Sequence, residues 1–165
     1  MAVSEQVSGG GTGTEAGGPG KDSGGERAMP DDTAPLAAGD LIELTVPALA
    51  TYLSVVRTAT AGLAARLSFT FDEIEDLRIA VDEACVMLLS LPGPTPADTA
   101  TLTCRFRVLD DVLAVTVSAR VDEKAVLPAD QSFAWQVLTA HASSVSGSIN
   151  GGHASVGLRK PRKIT

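Results

Sequence analysis

Between residues 74 and 88, apolar side chains recur at Ile74, Leu77, Val81, Ala84 and Leu88. Steps of three and four stack such residues along one stripe of an α-helix. Asp76, Ala80, Glu83 and Met87 form a neighbouring line at the same spacing, so whatever group Glu83 serves is expected to meet residue 87 as well, one turn further on. Asp72 is the expected N-cap, with Glu75 three residues later completing a capping-box pattern. Pro92-Gly93-Pro94-Thr95-Pro96 cannot continue a helix, which must therefore stop by Leu91. Upstream, residues 41–46 read as a strand ended by Pro47. Residues 48–67 read as a helix with Leu49, Tyr52, Val56, Leu63 and Leu67 on one face.

Two further runs, 99–108 and 112–119, meet at Asp110-Asp111 and predict a β-hairpin. A helix is expected over 131–142, then a second hairpin from 144–149 and 154–160, turned by Asn150-Gly151-Gly152. Strands and helices segregate along the chain instead of alternating strictly. That order predicts an α+β two-layer sandwich, a mixed and mainly antiparallel sheet covered by helices on one face.

Composition changes at about residue 40. Residues 1–39 hold ten of the sixteen glycines and no long apolar run, so they read as a disordered tail ahead of one folded domain, 40–165. Glu5 stands where a signal peptide needs basic residues, and no segment reaches the roughly 18 apolar residues of a membrane span. The tail carries six acids and two bases and the remainder fourteen and eleven, which makes up the net charge of −7. Neither part suits a nucleic-acid backbone. The single basic cluster, Arg159, Lys160, Arg162 and Lys163, reads as a solvated strand end and frayed terminus. Cys85 and Cys104 lack CxxC spacing and lie on apolar segments, as buried reduced thiols of a cytosolic protein would. His141 and His153 have no ligand-spaced neighbour and read as structural or exposed.

The segment Asp76-Leu77-Arg78-Ile79-Ala80-Val81-Asp82-Glu83-Ala84-Cys85 resembles the N-box helix of the anti-sigma factor serine kinases of the RsbW and SpoIIAB type, in the histidine-kinase-like ATPase superfamily. The likeness spans roughly residues 41–160. Its Ala80-Val81-Asp82-Glu83 and Ser132-Phe133-Ala134-Trp135-Gln136-Val137-Leu138-Thr139-Ala140 segments are most similar to divergent actinobacterial anti-sigma factors.

The resemblance implies a histidine-kinase-like (Bergerat-type) fold and a nucleotide site. Glu83 falls at the general base that activates a serine of the partner. Met87 stands where an Asn holds the magnesium that bridges the ATP phosphates, and a thioether is a poor ligand for a hard cation. Asp122 matches the adenine-binding Asp of a D-x-G-x-G box whose glycine positions hold Lys124 and Val126. Ser132 and Ala134 replace the glycines of a second box that wraps phosphates with backbone N–H groups. Arg57 matches an arginine used in partner contacts.

The expectation is a cytoplasmic homodimeric anti-sigma factor that sequesters a sigma factor and is released by a STAS-type anti-anti-sigma protein. Its ATP and magnesium binding should be weak at most, Glu83 vestigial, and kinase activity slight or absent. Two alternatives stand beside it: a working serine/threonine kinase acting on the anti-anti-sigma factor, and a non-enzymatic ligand-sensing adaptor.

Overall fold

The computed structural model describes residues 37–94 and 100–164, all within one unit, Thr33–Thr165. The expected tail 1–39 lies outside the described residues apart from its last three. There Gly39, at φ +94°, donates its N–H to Val108 O at 2.7 Å, which ties the entry of the first strand to its neighbour.

The elements follow in the order β1 (Leu41–Pro47), a 3-10 turn (Ala50–Tyr52), α1 (Leu53–Arg66), α2 (Phe71–Leu89), β2 (Thr101–Leu109), β3 (Val112–Arg120), α3 (Phe133–His141), β4 (Ser144–Asn150) and β5 (His153–Pro161). The five strands form one sheet in the order β1-β2-β3-β5-β4. Leu102, Cys104, Phe106 and Val108 of β2 alternate with exposed or half-exposed residues, as do Leu113, Val115 and Val117 of β3 and Ala154, Val156 and Leu158 of β5. Period-two patterning of this kind buries one face against the helices and leaves the other to water.

Both hairpins turn where the sequence predicts. Leu109 pairs with Val112 across Asp110-Asp111, and Asn150 pairs with His153 across Gly151 and Gly152. The two glycines have φ of +55° and +74°, the mirror-image turn that matches strand twist and favours residues without a Cβ.

The sheet is antiparallel at every described pairing, not mixed. The reason is topological: β3 and β4, joined through α3, run the same way, but β5 lies between them and pairs antiparallel with both.

Two local expectations also change. The cap of α2 is Thr70 with Glu73, not Asp72 with Glu75: Thr70 N–H donates to Glu73 Oε2 at 2.7 Å, and Glu73 N–H donates to Thr70 Oγ1 at 3.4 Å. Glu73 is also the acceptor for Lys163 N–H at 2.6 Å, a tertiary bond that the alternative cap lacks. On α1 the buried face is Leu53, Val56, Thr60 and Ala64, while Leu49 and Tyr52 are exposed. Thr60 tolerates full burial because its hydroxyl donates to Val56 O at 2.8 Å. The 3-10 turn before α1 has a tighter period than an α-helix, which moves Leu49 and Tyr52 off the core face.

The basic C-terminal stretch is anchored and not frayed through Lys163. Lys160 Nζ donates to Asp76 Oδ2 at 2.7 Å, and Arg162 Nη2 to Asp111 Oδ1 at 2.6 Å.

Candidate functional site

Helix α2 is the shared wall of two different surfaces. Its apolar stripe, Leu77, Val81, Ala84 and Leu88, is buried on the sheet, with Ile74 packed at the margin. Cys85 and Cys104 are buried free thiols on α2 and β2. Their mutual hydrogen bond, and then burial, push the Cys85 thiol well above its ordinary value, which keeps it protonated and unreactive.

The line Asp76, Ala80, Glu83 and Met87 faces α3. Asp76 Oδ1 lies 2.8 Å from His141 Nδ1, at the C-terminal end of α3, so His141 is structural. Burial would raise the Asp76 pKa, but the bonds from Lys160 and His141 prevail and hold it below the usual carboxylate range. At the other end, Asp122 N–H donates to Pro92 O at 2.8 Å, just beyond α2. The loop from Asp122 leads to the start of α3, so α3 runs back along α2, antiparallel to it. The C-terminal half of α2 (Glu83, Met87), the loop after β3 (Asp122) and the N-terminus of α3 (Ser132, Ala134) are thereby gathered at one end of the helical layer.

The side chains there do not form a cation site. Met87 is 2% exposed and part of the core, so its thioether faces packed side chains. Asp122 is exposed, and its Oδ1 accepts the Lys124 N–H at 2.8 Å in a local turn. Lys124 and Val126 are exposed, while Ala125 between them is buried. Ala134 is half-buried against the core.

Two features retain polar capacity. Glu83 is half-buried and makes no side-chain hydrogen bond or ion pair among the described residues. Ser132 occupies the N-cap of α3 without capping it, and its Oγ is buried with no hydrogen-bond partner. An orphaned hydroxyl at a helix N-terminus suits an anionic group. Magnesium-bridged ATP needs more, because a hard cation requires oxygen ligands and the N-box position offers buried sulfur. The residues present do not fit that group.

The loop from 121 to 132 is latched by an interaction that sequence patterning misses. Trp135 Nε1 donates to Pro128 O at 2.8 Å, and the indole lies over Gly147 of β4, where an added Cβ would come within 2.5 Å of Trp135 Cη2. The only signal in the chain was a glycine in the middle of a strand, the mark of a close approach.

Arg57 lies on the opposite flank of α2. Its Nε donates to Asp82 Oδ1 at 2.7 Å, and an open cleft of about 240 Å³ is lined by Arg57, Glu75, Arg78, Ile79 and Asp82. Arg57 is 41% exposed and Asp82 33%, so the pair remains accessible from solvent. The structure thus groups Glu83, Met87, Asp122, Ser132 and Ala134 and sets Arg57 apart from them.

No protein-family model matches the chain. It is 34% identical over 85 residues to the serine-protein kinase RsbW of Bacillus licheniformis, covering 52% of this chain and 53% of that protein. Against RsbW of Bacillus subtilis it is 39% identical over 83 residues, 50% of this chain and 51% of the relative. A 46-residue stretch is 52% identical to RsbW of Halalkalibacterium halodurans, 28% of each chain. The chain thus spans about half the length of the first two relatives. In fold it is similar to a crystal structure of the RsbU and RsbW domains of a Mycobacterium tuberculosis protein, with a TM-score of 0.61 at 14% identity, over 74% of this chain and 32% of that one. No helix among the described residues is long and apolar enough to cross a membrane. These matches bear out the resemblance to the RsbW-type anti-sigma factor and serine kinase family, over about half of the chain.

Proposed function

We propose that this protein is an anti-sigma factor that binds and sequesters a sigma factor, with a degenerate ATP site and little or no kinase activity. The observation that carries the reading is Met87: the position where the resemblance requires a magnesium ligand is 2% exposed and packed in the core. Phosphoryl transfer depends on metal-assisted charge neutralisation and on positioning, and both are weakened here. Asp122, turned onto its own loop, and the side chains at Lys124, Val126, Ser132 and Ala134 support the same conclusion.

Sigma binding is assigned to the Arg57 flank, where an exposed guanidinium and an open cleft survive. The folded region from 40 onward acts as the binding domain, as a homodimer released by a STAS-type anti-anti-sigma protein in the cytoplasm. The test is binding of the source cell's purified sigma factors with nucleotide removed by apyrase. Retained, saturable binding is expected, and binding that requires ATP would count against the reading.

A second reading, an active serine/threonine kinase, is favoured by one observation: the unpaired Glu83 carboxylate at the general-base position. Phosphate transfer that depends on Glu83 would establish it.

A further inference from the structure

The two edges of the sheet are guarded differently. An edge strand presents unpaired backbone N–H and C=O groups, and natural proteins protect such edges with charge, proline or a covering segment. β1 carries Glu43, which is paired with Arg105, and ends in Pro47. β4, at the opposite edge, reads Ser144-Val145-Ser146-Gly147-Ser148-Ile149-Asn150, seven residues without a charge or a proline. Among the described residues its backbone pairs only with β5.

The β4 sequence is symmetric in character about Gly147. Ser146 and Ser148 flank the glycine, Val145 and Ile149 follow, and Ser144 and Asn150 close the strand. Antiparallel pairing of β4 with β4 of a second copy, about a two-fold axis through Gly147, sets Val145 opposite Ile149 and Ser146 opposite Ser148. Apolar meets apolar, hydroxyl meets hydroxyl, and no charge meets itself, which matters in a chain of net charge −7. A two-fold interface requires this self-complementarity, and a register shifted by one would set Val145 opposite Ser148.

The helix side of the strand also ends unfinished. Val145 and Gly147 border an open cavity of about 300 Å³ with Leu127, Pro128 and Trp135, and Val126 on the same loop is 78% exposed. Trp135 leaves no room for a side chain at Gly147, so no side chain of β4 itself stands at the point where the two-fold axis would pass.

We propose that β4 is the dimerisation edge, joining two copies of this chain into one continuous ten-stranded antiparallel sheet. The inference rests on the homodimer reading above and names its interface. The exposed self-complementary strand carries it.

The experiment measures the mass of the full-length chain by sedimentation equilibrium, without sigma factor or nucleotide, alongside a Ser146→Lys/Ser148→Lys variant and a Ser146→Cys/Ser148→Cys variant. Both substituted positions are exposed, and circular dichroism checks that each variant folds. The unmodified chain should be a dimer. The lysine variant should shift the monomer–dimer equilibrium about tenfold or more toward monomer, since like charges would oppose one another twice across the axis. Oxidation of the cysteine variant by diamide should yield a disulfide-linked dimer. A monomeric unmodified chain would overturn both this inference and the homodimer reading. A dimer that survives the lysine substitutions and does not cross-link would overturn the β4 edge alone.

Discussion

The two flanks of α2 have the same backbone and opposite chemistry. Toward α1, Arg57 and Asp82, and Arg78 and Glu75, form half-exposed ion pairs around an open cleft. Toward α3, Asp76 is bound by His141 and Lys160, Ala80 is fully buried, and Met87 is sealed in the core. The resemblance places partner recognition on the first flank and nucleotide chemistry on the second. Packing closes the second flank at Ala80 and Met87, whereas the first stays open around Arg57 and Asp82.

The strongest way to break this contrast is to place at position 87 the residue that the resemblance expects there. Met87→Asn should cost about 2–4 kcal/mol of stability in urea unfolding, because it buries an amide among apolar side chains. A neutral substitution would mean that position 87 opens onto a polar site.

Acid titration addresses the α3 flank and the start of α2. Burial would raise the Glu73 pKa, but bonds from Thr70 and Lys163 lower it, and Asp76 is lowered by Lys160 and His141. A carboxylate depressed in the folded state contributes stability that is present above its unfolded pKa of about 4 and lost as pH falls through the folded value. Thermal melts should therefore weaken from about pH 5 downward. In Glu73→Gln and Asp76→Asn that acid-side loss should flatten, and an unchanged slope would show that the bonds do not persist in solution.

Arg57→Ala sharpens the other side. It should weaken the sigma complex by roughly 1–3 kcal/mol, read by calorimetry, and change unfolding stability by less than about 1 kcal/mol, as expected of an exposed ion pair. Unchanged affinity would move the interface away from this cleft. The smallest effect is expected from deleting residues 1–36, which should leave the melting temperature within a few degrees because the segment has no long apolar run to pack. A large drop would give it a structural role.

What could be read in advance follows from how local each signal is. The stripe at 77, 81, 84 and 88 and the turns at Asp110-Asp111 and Gly151-Gly152 are set by neighbouring residues, and they stand where the pattern puts them. The cap was ambiguous, since Thr70-x-x-Glu73 and Asp72-x-x-Glu75 both match, and the choice is associated with the distant Lys163 N–H. Thr60 looked polar in sequence, yet its hydroxyl is satisfied within its own helix turn and packs inside. The line of Asp76, Ala80, Glu83 and Met87 was visible as a line, but that α3 would cover it depends on chain topology, which spacing does not encode. The latch of Trp135 on Pro128 and Gly147 is likewise a long-range contact.

The most direct test of the account is phosphate transfer from radiolabelled ATP by the purified protein, with magnesium and its anti-anti-sigma partner, compared with a Glu83→Ala variant. No detectable labelled serine is expected from either protein, and sigma binding should persist in both without nucleotide. Robust serine phosphorylation by the unmodified protein, abolished in Glu83→Ala, would contradict it.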